Sequence, residues 1–197
     1  MSSLYTNIAA TTAAVANRFV TSANMKVGTY TIANASPVWA GGCIVTITHA
    51  TVAAGTDTLG TITIVGTGLS GATITEVITP LADAVASSVN IFRTVVSATG
   101  AGWVIAGGND TITIGCAAGS YAAASGGVLG QVVVNSTAAA TVVISDSKGT
   151  IATLKASIAE GSYRFDVVYN GYLKVATTST NDVTLTHTGT QPAFATS

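Results

Sequence analysis

Charge is scarce in this sequence. Asp, Glu, Lys and Arg make up 8% of its 197 residues, against about a quarter in an ordinary soluble domain. Seven basic and eight acidic side chains cannot coat a domain of this size. The exterior is therefore left to Thr, Ser, Asn, Gly and Ala, or is covered by other chains, and weak mutual repulsion favours close association. The formal net charge is −1, and Arg18, Lys26, Arg93, Lys148, Lys155, Arg164 and Lys174 are scattered singly. Nucleic acid is thereby excluded as a partner, because its binding rests on clustered Lys and Arg that displace phosphate counterions. No polybasic or acidic tail implies a charge-driven partner.

Long apolar runs are missing too. The uncharged stretch between Lys26 and Asp57 is broken every few residues by Thr, Asn, Ser, Pro or Gly, well short of the about 20 apolar residues of a membrane helix. Aromatics, at 6%, are too few for the girdles of a membrane barrel, so no membrane partner is expected. Met1–Ile8 has neither a basic region nor an apolar core, so no secretory signal is expected and synthesis and assembly are placed in the cytoplasm. Two cysteines, Cys43 and Cys116, make no disulfide framework. They read as small buried thiols, pairing only if the first and last strands of one sandwich are neighbours.

What is present is alternation. In Cys43–His49, Val45 and Ile47 share one face while Thr46 and Thr48 share the other, and Thr61–Ile64, Thr111–Ile114 and Asp182–Thr186 repeat the pattern. In Tyr163–Tyr169 the odd positions Tyr163, Phe165, Val167 and Tyr169 oppose Arg164 and Asp166. A period of two predicts half-buried strands, and abundant β-branched Thr, Val and Ile suits a pleated surface. Ser70-Gly71, Asn109-Asp110, Ser147-Lys148-Gly149, Glu160-Gly161 and Asn170-Gly171 punctuate the runs. Asn170-Gly171 predicts a tight hairpin joining Tyr163–Tyr169 to Tyr172–Thr177.

No candidate for chemistry keeps its context. His49 and His187 lack partners in metal-ligand spacing and read as hydrogen-bonded histidines at strand ends. Gly66-Thr-Gly-Leu-Ser-Gly71 matches a dinucleotide fingerprint in letters, but the last glycine opens an alternating strand, not a helix, so it reads as a hairpin loop. There is no Gly-x-Ser-x-Gly elbow. Asp57, Asp110 and Asp182 stand where strands begin, without the close oxygen spacing of a calcium loop. Glu76 is in phase with Ile74 and Ile78 on the apolar face of its strand, where a carboxylate must be paired or neutralised; Arg93 is the expected partner. Trp103 reads as core, and Trp39, just after Pro37, as core or contact. The expectation is no catalytic, cofactor or metal site, hence no enzyme.

The fold expected is all-β: two small antiparallel β-sandwiches (Ig-like or jelly-roll-like) in tandem, residues 27–117 and 127–190. A Gly/Ala/Ser linker, 118–126, joins them, and residues 191–197 form a loose tail. Residues 1–26 differ: Leu4, Ile8, Val15 and Phe19 have near-helical spacing in an Ala-rich stretch. They read as an N-terminal arm that orders against a neighbouring subunit, a frayed terminus being the alternative.

Four stretches carry a likeness: Asp57–Thr67, Gly71–Thr79, Phe92–Val95 and Trp103–Gly115. This first block resembles a β-sandwich module of tailed-bacteriophage structural proteins. The second, from Gly149–Leu154 through Asn170-Gly171 to Asp182–Leu185, is similar to a small sandwich module of the same kind of protein. The likeness implies a virion structural protein that brings no catalytic residues. A capsid decoration (cement) protein is expected on the head exterior, a homotrimer bound to the major capsid protein through the arm and a sandwich edge. A head fibre, neck or tail component is the alternative. A carbohydrate- or host-surface-binding module, with Trp39, Tyr121 or Tyr172 lining a shallow site, is the alternative of another class.

Overall fold

The computed structural model describes residues 3–8, 14–37, 41–52, 57–105, 107–177 and 179–189. Strands make up 63% of these residues, against 20–25% in a typical globular protein, and the helical content is one 3₁₀ turn, Met25–Val27. The class is therefore all-β, and every strand pair among the described residues is antiparallel. The chain divides into two compact units, 14–38 with 42–117, and 1–13 with 39–41 and 118–197. Trp39 and the expected tail 191–197 lie outside the described residues.

The first unit is one seven-stranded sheet. It contains β2 (Val15–Asn24), β3 (Thr29–Tyr30), β4 (Cys43–Ala50), β5 (Thr61–Gly68), β6 (Thr73–Ile78), β7 (Val85–Ala101) and β8 (Thr111–Cys116). The order is β2-β8-β4-β7-β5-β6, with β3 also on β7. The 17-residue β7 changes partners midway: it pairs with β4 from Val85 to Phe92 and with β5 from Phe92 to Ala101. Bulges on β7 at Val96 and Arg93, opposite Val65/Gly66 and Thr67/Gly68 of β5, accompany the change. Gly66 is required there, since a Cβ would stand 1.9 Å from the Thr94 carbonyl oxygen. The predicted alternation holds: Val45, Ile47, Ile62, Ile64, Ile112 and Ile114 are all buried. The Gly66–Gly71 stretch closes the β5–β6 hairpin, in register from Ile62–Ile78 to Thr67–Thr73.

The second unit has two four-stranded sheets. In one the order is β1 (Leu4–Ile8), β15 (Asp182–His187), β10 (Gly127–Ser136), β13 (Gly161–Tyr169). In the other it is β12 (Gly149–Leu154), β11 (Val142–Asp146), β14 (Leu173–Thr177), β9 (Ser120–Ala123). Both feed one core: Leu129, Val132, Val183 and Leu185 from the first cluster with Ala122, Ile144, Leu173 and Val175 from the second.

Three expectations are corrected. The described residues of the segment read as an arm or nascent helix are largely strand: β1 pairs with β15 and β2 with β8 of the same chain. Ile8 and Phe19 are buried, Leu4 and Val15 half-buried. The spacing of four that links Leu4 to Ile8 and Val15 to Phe19 fits a strand's period of two as well as a helical turn, and each pair lies within one strand. The segment read as a linker holds β9, all four of whose residues are buried; small side chains here mark tight packing. Asn170-Gly171 is a turn, with Gly171 at φ +70°, but it joins no hairpin: β13 and β14 belong to different sheets. Asp146 explains the crossing, because its Oδ2 accepts the Asn170 N–H at 2.7 Å and pins the turn to the β11–β12 loop.

Candidate functional site

His49 ends β4 in a closed pocket. Its Nε2 lies 3.1 Å from Asp110 Oδ2, and its Nδ1 accepts the Asp83 N–H at 3.2 Å. That backbone donor selects the tautomer with the proton on Nε2, which is then donated to Asp110. Asp110 Oδ1 in turn accepts the Val52 N–H. His49 is 2% and Asp110 0% exposed, so the pair ties two strands and a loop together, out of a substrate's reach. His187 Nε2 stands 3.0 Å from Thr6 Oγ1, with its Nδ1 at 3.5 Å from the Tyr169 hydroxyl. Burial lowers the pKa of His187, against a smaller opposite effect from the Gly189 backbone.

The two cysteines meet within the first unit. Cys116 is opposite Val45, two residues from Cys43 on the same strand face, and both cysteines are reduced and fully buried. A hydrogen bond to Cys116 and then burial push the Cys43 thiol pKa far up. Cys43 is thereby held as the thiol, whereas the thiolate is the reactive form.

Glu76 lies on the expected face but not with the expected partner. Its carboxylate accepts the backbone N–H groups of Val89 (2.6 Å) and Asn90 (2.9 Å) and the Asn90 side-chain amide (3.0 Å). The Arg93 pairing is therefore corrected: the open edge of β7 supplies the donors from which the carboxylate accepts. Arg93 is half-buried, with its guanidinium beside Gly71. Trp103 is half-buried rather than core. Its ring lies over Gly28 and Gly100, where a Cβ on Gly100 would come within 2.6 Å of it. Among the described residues no group of three or more His, Cys, Asp or Glu side chains could hold a metal.

An open site lies on the β1-β15-β10-β13 sheet. A depression of about 220 Å³ is lined by Gly130, Gln131, Arg164, Asp166 and Thr186. It sits where the β10–β13 register shifts between Leu129 and Gln131 and where Asp166 takes φ +50°. Arg164 Nε bonds Asp166 Oδ2. Sequence reasoning missed this site because it sought aromatics elsewhere. Tyr121 is buried, edge-on to Tyr172 at 5.2 Å and beneath Lys174. The alternation of Tyr163–Tyr169 hid the bulge.

Compared with protein-family models, curated proteins and solved structures, the chain matches none.

Proposed function

We propose that the chain is a non-enzymatic structural protein of a tailed-bacteriophage virion, built of β-sandwich domains. In this reading it is a capsid decoration protein that binds the head exterior as a homotrimer and holds the major capsid protein by surface contact. The observation that carries it is a run of exposed aliphatic side chains, Val77, Leu81, Val85, Val89 and Val96, on β6, β7 and their connection, with Val89 88% exposed. Exposed aliphatic side chains of this kind suit a surface that a partner covers. The scarcity of charge, 8%, supports the same reading, because a protein that works by broad contact has little need of a charged coat. The shared core of the two four-stranded sheets supports the sandwich assignment for the second unit.

The test is cosedimentation of the purified chain with bare capsid shells, together with its sedimentation velocity alone. Saturable binding at the lattice three-folds, weakened by Val89→Asp, is the expected result. A monodisperse monomer with no affinity for shells would refute the proposal. Electron microscopy that located the chain on a fibre, neck or tail would overturn the decoration assignment while retaining the virion class.

A further inference from the structure

We propose that the outward face of the β1-β15-β10-β13 sheet is a binding site for a neutral saccharide, centred on the bulge between β10 and β13. The register places Tyr5 opposite Thr186, Thr186 opposite Gln131, and Gln131 opposite Arg164. Directly opposed residues share a face, so these four side chains form one row across four strands. Tyr5 is 66% exposed and offers the row an aromatic face at one end, against which the C–H side of a sugar ring stacks. Arg164 and Asp166 offer a planar donor and a planar acceptor at the other, with the Gln131 amide, both donor and acceptor, between them.

Three local features go beyond ordinary edge irregularity. Thr186 Oγ1 is buried and makes no hydrogen bond within the chain, and it alone does so among the described side-chain atoms; a buried polar atom of this kind calls for a partner. Asp166 holds a left-handed backbone conformation at φ +50°, uncommon for a residue other than glycine and found where a side chain is aimed for a purpose. The register shift beside it opens the depression, as bulges next to binding sites do.

The charge balance selects the ligand. Because Arg164 is paired with Asp166, the site has no net charge to attract a phosphate, sulfate or carboxylate. Vicinal hydroxyls accept from a guanidinium or amide and donate to a carboxylate, which is the pattern presented here. At about 220 Å³ the depression is below the roughly 300–1,000 Å³ of drug-sized sites and suits a single sugar ring at the end of a chain.

The inference does not depend on the virion assignment. It is tested by applying the full chain to an array of neutral, sialylated and sulfated oligosaccharides, then titrating one neutral hit while recording backbone amide resonances. Expected are neutral hits only, with shifts confined to the neighbourhood of Tyr5, Gln131, Arg164 and Thr186. Tyr5→Ala and Gln131→Ala should each weaken binding about tenfold at an unchanged urea midpoint. Gly130→Ala should also weaken it without unfolding the chain, since the added Cβ would stand 3.5 Å from the Thr186 carbonyl oxygen, inside the depression. Absence of any hit, binding of the acidic glycans alone, or neutral binding indifferent to all three substitutions would overturn the proposal.

Discussion

Replacing Asp146 tests how the second unit is joined. This carboxylate, at the end of β11, collects the backbone N–H groups of Lys148 (2.7 Å), Gly149 (3.1 Å) and Asn170 (2.7 Å). It thus closes the β11–β12 turn and anchors the crossing from β13 to β14. A hydrogen bond to a charged acceptor contributes about 1.5–3 kcal/mol. Lys148 and Gly149 are exposed, so water replaces much of what they lose, and Asp146→Ala should destabilise by about 2–4 kcal/mol rather than the full sum. The pH dependence gives a second reading. Burial alone would raise this carboxyl pKa, but the donors from Asn170, Lys148 and Gly149 together hold it below the usual range. A depressed folded value means that the unfolded chain takes up the proton first. The contribution is therefore complete above the unfolded value of about 3.9 and is lost as pH falls through the folded one. Urea titrations followed by far-ultraviolet circular dichroism should show the gap between wild type and Asp146→Ala at pH 7 and a smaller gap near pH 2. A loss under about 0.5 kcal/mol, or a gap unchanged at acid pH, would refute the reasoning.

Gly66→Ala should cost at least about 2 kcal/mol, read from the urea midpoint, because the Thr94 carbonyl oxygen lies 1.9 Å from the new Cβ. Neither Cys43 nor Cys116 should react with a thiol reagent in the native protein, and both should react in denaturant; prompt labelling of the folded chain would contradict their burial. His187 has a lowered folded pKa, so its neutral form is the one the fold accommodates. Stability from this residue is present above the unfolded value of about 6.5 and falls as pH drops through the folded one, a slope that His187→Asn should flatten in urea titrations. Glu76→Ala should leave the Val89 and Asn90 amides without their acceptor, seen as faster hydrogen exchange there than in the centre of β8.

Alternation made most strands legible, because a residue such as Ile62 or Ile114 needs only its own period to choose a face. Asn170-Gly171 was legible as a turn for the same local reason. What it connects was not, since that depends on Asp146, 24 residues away. The first 26 residues misled because the four-residue spacings Leu4–Ile8 and Val15–Phe19 fit a strand's period of two as well as a helical turn. Glu76 was legible as a carboxylate on an apolar face. Its acceptors' partners are backbone N–H groups, which every residue except proline carries and no letter of the sequence distinguishes. The saccharide row combines residues from four strands, and Tyr5 and Thr186 are nearly a chain length apart. Only the pairing of β1 with β15 puts them side by side.

The scarcity of charge is resolved by where the charges stand. An open sheet edge presents unpaired backbone groups that template aggregation, and charged side chains or bulges blunt it. Among the outer strands, β2 carries Arg18, β6 carries Glu76, and β13 carries Arg164 and Asp166 at its bulge, while Lys148 and Lys155 flank β12. The outer strands β1 and β9 carry none, and these two edges are joined to each other: Thr6 of β1 donates its hydroxyl to the Ala122 carbonyl of β9 at 3.4 Å. Glu76 goes further, turning inward to occupy two N–H groups of the half of β7 that β5 leaves unpaired. Six of the chain's fifteen charged side chains thus stand on or beside these outer strands. The aliphatic side chains left exposed on β6 and β7 therefore lie beside a guarded edge, so a partner there would meet side chains, not an added strand. Val89→Asp should accordingly weaken capsid binding more than Glu76→Ala does, and the reverse order in the cosedimentation assay would mean that the partner pairs with the edge itself.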